Sequence, residues 1–402
     1  MGFVRKTETG KWKAFWRDPT GSQRSKVFTT KKDASAFLAE TESSKSRGLY
    51  VSPHAGRMTF GEHAAAWMAS WNTEHTTAAR DRAVMRTHVL PQWESWPLAK
   101  IDHLTVQGWV SDLGRRRSRA TVAEAHRLTS AVLRSAVRNR LIAFNPALDV
   151  RVPKRRKTDT DEQIISRPTL RHVLLPKVPE RHRALIATAA GCGLRWGEVA
   201  GLMDDAVDLE AGVLRVVRTV VEVAGHRSFK PFPKSVAGRR DVPIPGWFRR
   251  LVAEHVERWP SPSTSPVFAN EIQGPIGRTA FRARVWRPSL VRPGFIGEVK
   301  ELGEKKFEAR WRDKDGDEQS LETNTEYQAV MEIARRHYGG LRFHDLRHSY
   351  ATWLVDDGVP PNMVQRVMGH ERASTTLDLY TRRTADPSRI LAALGDDEGD
   401  EL

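Results

Sequence analysis

The chain of 402 residues has a single cysteine, Cys192. No disulfide can close within it and no cysteine-based metal site can be built, so a reducing compartment is expected. Cys192 lies in a run of small residues and reads as buried filler. Long apolar runs are also missing. Nothing is long enough to cross a bilayer, and the first residues, Met1 to Lys6, lack the apolar core of a signal peptide. A soluble, cytoplasmic protein with no membrane partner is expected. There is no Walker-type phosphate loop and no group of metal ligands at a workable spacing, so the expectation is no cofactor and no metal. Acid is in short supply: 49 Asp and Glu stand against 65 Lys and Arg, for a formal net charge of +16 and a pI of about 10.2. Such an excess points to a polyanionic partner, most simply nucleic acid.

The most informative stretch is Phe343-His344-Asp345-Leu346-Arg347-His348-Ser349-Tyr350-Ala351, followed by Met368-Gly369-His370 and by Leu377-Asp378-Leu379-Tyr380. On a helix, His344 and Arg347 sit three apart and share a face. A histidine moves a proton near neutral pH and an arginine carries a permanent planar charge. The pair suits a phosphodiester oxyanion, and a downstream phenol suits a nucleophile. Upstream, Gly191-Cys192-Gly193 breaks a helix and Leu194-Arg195-Trp196-Gly197-Glu198 opens another. That places Arg195 at a helix N-terminus, where backbone N–H groups already favour anions. Residues 233 to 243 read as the turn and returning strand of a hairpin carrying Lys234, with Lys230 as its rival. Taken together, Arg195, Lys234, His344, Arg347, His370 and Tyr380 resemble, in order and local phrasing, the active site of the tyrosine recombinases, the phage-integrase family. The resemblance covers nearly the whole chain. It is most specific in 191 to 202 and 343 to 382, and weakest in 246 to 292.

The resemblance implies a role for each residue. Tyr380 is the nucleophile, forming a 3′-phosphotyrosyl link and leaving a free 5′-hydroxyl. Arg195 and Arg347 hold the non-bridging oxygens, and His370 adds a hydrogen bond. His344 is the candidate base and Lys234 protonates the leaving oxygen. Glu198 buttresses the site from behind. The implied function is site-specific recombination that integrates or excises a phage or other mobile element. The implied partners are double-stranded DNA at core and arm-type sites, three further copies in a homotetramer, a host bending factor and an excision directionality factor. The competing readings are a type IB topoisomerase-like enzyme and a non-catalytic DNA-binding regulator.

The rest of the chain reads as a multidomain, mainly α protein with small sheets (α+β). Residues 1–52 form strands followed by a helix, and Lys11, Lys13, Arg17, Arg24 and Lys26 crowd the sheet. This resembles the family's arm-type DNA-binding module, since a sheet can lie in the major groove; the plain alternative is a small basic domain that binds protein. Residues 58–150 read as four helices, opened by the capping box Thr59 to Glu62, with the second helix stopping at Pro91. They resemble the core-binding domain. Lys154, Arg155, Arg156 and Lys157 mark a basic linker over 151–164 that can track phosphates. Residues 165–395 are the mixed α/β catalytic domain. Within it, Lys306 to Asp313 repeats Lys11 to Asp18, Gly316 matches Gly21 and Ala329 matches Ala34, all at one offset. A second sheet-plus-helix module, 294–339, is therefore inserted in the catalytic domain. It is expected to fold by itself and, being rich in acid, to contact protein or act as a structural brace rather than to bind DNA.

Overall fold

The computed structural model describes residues 2–18, 21–47, 50, 55–72, 74–153, 163–230, 238–371, 374, 376 and 377. They fall into two compact units, Met1–Lys157 and Thr158–Leu402. The architecture is mixed, with many helices and small antiparallel sheets.

The first unit opens with three strands, β1 (Phe3–Lys6), β2 (Trp12–Arg17) and β3 (Gln23–Phe28), followed by α1 (Lys31–Ser46). β2 is the central strand. Its alternation sends Ala14 and Trp16 inward, where they are buried with Ala34 of the helix. Trp16 Nε1 donates to Tyr50 Oη at 2.7 Å, tying the chain beyond the helix back to the sheet.

Helices α2 (Phe60–Ala69), α3 (His75–Val84), α4 (Leu90–Trp93), α5 (His103–Arg116) and α6 (Arg119–Arg138) then pack around a core that includes Phe60, Trp93, Leu128 and Leu133. The capping box at Thr59 and Glu62 is present. The expected stop at Pro91 is not. Residues Met85–Val89 widen into a π turn, and the helical path runs on through Pro91 to Trp93. A wider turn moves aside the carbonyl that the proline ring would strike, so the chain turns inward without ending. The same device recurs at Thr169–Leu174 ahead of Pro176 and at Arg282–Trp286 ahead of Pro288.

The second unit begins with α7 (Glu180–Gly191) and α8 (Trp196–Ala200). Strands β4 (Val207–Asp208), β5 (Val213–Val216), β6 (Thr219–Val223), β7 (His226–Lys230) and β8 (Arg240–Pro243) follow. The pairing differs from a simple hairpin over 233 to 243. β7 pairs with β6, and β8 passes it to pair with β5. Helices α9 (Gly246–Arg258), α10 (Arg278–Phe281) and α11 (Arg287–Val291) lead to the inserted module. It consists of β9 (Glu298–Gly303), β10 (Lys306–Arg312), β11 (Glu318–Thr323) and α12 (Glu326–Arg336), and it repeats the order, antiparallel pairing and central strand of the first module. Helices α13 (Asp345–Asp356) and α14 (Pro361–Met368) close the described chain.

The insert does not stand alone, contrary to the expectation from sequence. Ala309, Trp311, Ala329 and Ile333 belong to the same core cluster as Leu185, Phe248, Trp286 and Leu346. Arg287 of α11 is buried and reaches into the insert's exit. Its guanidinium donates to Ala334 O, to His337 O at 2.5 Å and to Gly339 O at 2.9 Å. Trp286 Nε1 donates to Leu341 O at 2.9 Å. The strap between the insert and α13 is thereby fixed at alternate residues.

Candidate active site

Candidate side chains from separate stretches meet at the C-terminal end of α14. That helix stops because Gly369 takes a left-handed conformation (φ 61°), which costs glycine nothing. Guanidinium groups then receive its last carbonyls. Arg240 Nε donates to Val367 O at 2.7 Å, Arg347 Nη2 to Met368 O, and Arg195 Nη2 to Gly369 O at 3.3 Å. Cations are favourable at a helix C-terminus, so the helix end and the arginines hold each other in place. His370 follows at once. Its backbone N–H donates to Gln365 O at 3.1 Å, and its Nδ1 lies 2.9 Å from Thr376 Oγ1.

Arg195 is the residue that caps α8. The turn before it needs a glycine: Gly193 has φ 60°, and a Cβ there would fall 2.3 Å from the ring of Tyr350. Glu198 lies buried behind the arginine. It accepts from the Arg195 backbone N–H at 2.9 Å, from Arg195 Nη1 at 2.8 Å and from Arg240 Nη2 at 2.9 Å. Burial works against its ionisation, but the hydrogen bonds and charge of Arg240, then the charges of Arg195 and Arg347, prevail and bring it to about 2. Arg347 is itself buried, with Nη1 donating to Gly193 O at 2.6 Å. Burial, followed by the neighbouring charge of Arg195, lowers it to about 9, which leaves it charged at neutral pH.

His344 caps the N-terminal end of α13, and its ring stands perpendicular to that of His348 at 4.9 Å. Burial lowers it to about 4, helped by His348, Arg347 and Arg195. Burial and the charges of Arg347, Arg195 and Arg240 bring His370 to about 4 as well. Both imidazoles are therefore neutral at pH 7, able to accept a proton on one nitrogen and donate from the other. A cleft of about 1370 Å³ opens beside His344, lined by Arg195, His344 and His348 together with Arg227, Arg278 and Arg282. The arrangement can hold an anionic tetrahedral or trigonal-bipyramidal centre and exchange a proton beside it. Among the described residues no group of three His, Cys, Asp or Glu side chains is placed to hold a metal. Among them, too, no helix is long and apolar enough to cross a membrane.

The structure thus brings together Arg195, Glu198, His344, Arg347 and His370. Lys234, Tyr380 and the linker cations Lys154, Arg155, Arg156 and Lys157 lie outside the described residues. Lys230, the rival to Lys234, ends β7 opposite Thr219. Tyr350 is packed on Gly193, and burial pushes its hydroxyl upward, which makes it a poor nucleophile. Sequence reading passed over Arg240. The available signal was its alternation with Val242 on one face of β8: a cation on an apolar strand face needs a buried partner, and here that partner is Glu198.

In the first module the five basic candidates divide. Residues directly opposite one another share a face. Lys26 lies opposite Ala14 and Arg24 opposite Trp16, so both are on the helix side, where Arg24 Nε meets Asp18 at 3.0 Å and Lys26 Nζ lies 4.8 Å from the centre of the Phe37 ring. Arg24 and Lys26 therefore do not share the open face of the sheet with the other candidates. That face carries Lys13, Arg17 and, missed from sequence, Arg5 opposite Lys13, with Phe3 stacked on Phe15 at 4.8 Å. Lys11 is exposed in the turn that enters β2.

A family model described as the phage integrase family matches residues 307–386. A protein of Mycobacterium tuberculosis called prophage phiRv2 integrase is 26% identical over 410 aligned residues, covering 98% of this chain and 94% of its own. A tyrosine recombinase XerC-like protein of Caldanaerobacter subterraneus is 24% identical and covers 91% and 90%. Among solved structures, the Tn1549 transposon integrase in complex with a circular intermediate DNA gives a TM-score of 0.62 at 20% identity, over 84% of this chain and 99% of that one. A lambda integrase dimer bound to a core site gives 0.54 at 12% identity, over 95% of each chain. Over nearly its whole length the chain is similar to tyrosine recombinases, and its residues 307–386 match the phage integrase family.

Proposed function

We propose that this chain is a site-specific DNA recombinase that integrates or excises a phage or other mobile element, cutting each strand with Tyr380. The tyrosine oxygen attacks the phosphodiester, forms the phosphotyrosyl bond at the 3′ side and releases the 5′ oxygen, which Lys234 protonates. A 5′-hydroxyl from the partner strand then reverses the step. Because the bond energy stays in the covalent link, no ATP is consumed. Arg195 and Arg347 hold the non-bridging oxygens with forked donors. His370 adds a donor and neutral His344 accepts the tyrosine proton. Glu198 and Arg240 keep Arg195 and the end of α14 in register.

The observation that carries this reading is the convergence of Arg195, Arg347 and His370 on the end of one helix, beside neutral His344. The division of labour follows: residues 1–52 hold arm-type DNA, 58–150 and 165–395 close on the core site, and 151–164 follows phosphates between them. Lambda integrase has been solved as a tetramer bound to a Holliday junction, and a homotetramer on DNA is the assembly we assign here, working in the cytoplasm with host bending and excision directionality factors. A two-site recombination assay run beside relaxation of a supercoiled plasmid tests the proposal. Strand exchange between the element's own junction sites is the expected result. Relaxation without exchange would instead make the chain a topoisomerase.

A further inference from the structure

We propose that the open sheet face of the inserted module is a docking site for the basic N-terminal sheet of a second copy of this chain. The inference rests on the reading that several copies assemble on DNA. It starts from the two equivalent faces. On the first module the face opposite the helix carries Arg5, Lys13 and Arg17 among Phe3, Phe15, Gln23, Ser25 and Val27, with no carboxylate. On the insert the register places Glu298, Glu308, Glu318 and Glu322 on that face, with Lys300, Arg310 and Arg312 between them. The contrast extends to the whole modules. Residues 1–52 hold eleven basic and five acidic residues, a balance of +6; residues 294–339 hold eight basic and eleven acidic, a balance of −3.

The insert's face is also shaped to receive something. Glu308 lies 2.7 Å from Arg310, and Arg312 3.3 Å from Glu318. These pairs rim a cleft of about 530 Å³ above β10, lined also by Glu298 and His337. Strand spacing and rise give the face roughly 300 Å², well under the ~800 Å² per partner of a stable complex. The contact is therefore weak by itself and forms where copies are already held side by side, as on one DNA. The phosphate backbone and the insert compete for Arg5, Lys13 and Arg17. Docking then parks the first module while it is free of DNA, against a surface that Arg287 holds to the catalytic core.

Cross-linking tests this. Ser25 and Ser320 occupy equivalent positions on the two open faces, and the native Cys192 is buried. Full-length Ser25→Cys and full-length Ser320→Cys, differently tagged, are mixed on duplex DNA carrying the element's core site and treated with a short bis-maleimide. The expected product is a linked pair of copies that is lost at high salt and lost when Glu298, Glu318 and Glu322 are changed to Lys. No linked pair, a pair that survives the charge reversal, or linkage only within one chain when both cysteines are placed together would each overturn the proposal. Formation of the phosphotyrosyl adduct on a nicked substrate is scored in the same samples. An adduct without the cross-link sinks the docking site alone, and a cross-link without the adduct sinks the recombinase reading alone.

Discussion

The chain contains one small fold twice, and the two copies are built into the molecule differently. In the first, Ala14, Trp16 and Ala34 bury one another and lie in neither of the larger cores. In the second, the matching Ala309, Trp311 and Ala329 are part of the core that also holds Leu194 and Leu346, beside the candidate site. The same alternating strand pattern therefore makes a small core of its own in one place and part of a larger core in the other. What decides is the inner face of the helix and its exit: α12 packs on α11, and Arg287 satisfies the carbonyls where α12 ends.

The largest effect expected from this difference is on removal. Deleting residues 1–52 should leave folding of the remainder and cleavage of a core-site substrate intact while abolishing recombination between full sites. Replacing 294–339 by a Gly/Ser loop should abolish soluble, folded protein or cleavage outright, because it uncovers Trp286 and leaves the Arg287 guanidinium without its partners. A loop variant that cleaved normally would break the comparison. At single residues, Trp311→Ala should cost about 3–5 kcal/mol, the usual range for emptying a buried tryptophan site, and lower the melting temperature of the second unit. Trp16→Ala should leave that transition in place. Thermal unfolding followed by cleavage activity distinguishes the two.

The arginines of the candidate site fall next in size. Arg195→Lys and Arg347→Lys keep the charge but lose the fork, and each should slow cleavage by at least about a hundredfold, the scale of one lost oxyanion donor. Near-normal single-turnover rates would remove them from the site. On the module surfaces, Lys13→Ala should weaken binding to arm-type DNA and reduce its salt dependence by about one counterion. Glu308→Ala, at the matching position, should leave the affinity of the full chain for arm DNA unchanged in a filter-binding titration.

The smallest effect is a pH dependence. His344 and His370, held by burial and nearby cations at about 4 against an ordinary 6.5, take up protons more readily in the unfolded chain. Their contribution to stability is full above pH 6.5 and is lost as pH falls from 6.5 towards 4. His344→Asn/His370→Asn should flatten that part of the denaturation midpoint curve. The acid limb of kcat/KM, which reports the free enzyme, should likewise lie well below pH 6.5; a limb at or above 6.5 would contradict a neutral His344 base.

The sequence made much of this legible. The phrases around Arg195 and His344 pointed to one site because glycine turns and helix starts are local signals, and the repeat showed itself through Trp16 and Trp311. Three things were hidden because they depend on partners distant in sequence. Arg240 looks like a surface cation until Glu198, forty-two residues earlier, is brought beneath it. Arg24 and Lys26 looked as exposed to DNA as Lys13, and only the register of β2 with β3 turns them to the helix side. Pro91 looked like a stop, and only the tertiary requirement to bury Trp93 selects a widened turn over an ended helix.

The nucleophile decides whether this chain cuts DNA as proposed. A nicked suicide substrate carrying the element's core site, incubated with the full-length protein and digested, should yield a single nucleotide-linked peptide containing Tyr380. Tyr380→Phe should bind the same DNA and give no adduct. An adduct that persists in that variant, or that maps to another tyrosine such as Tyr350, would contradict the proposal.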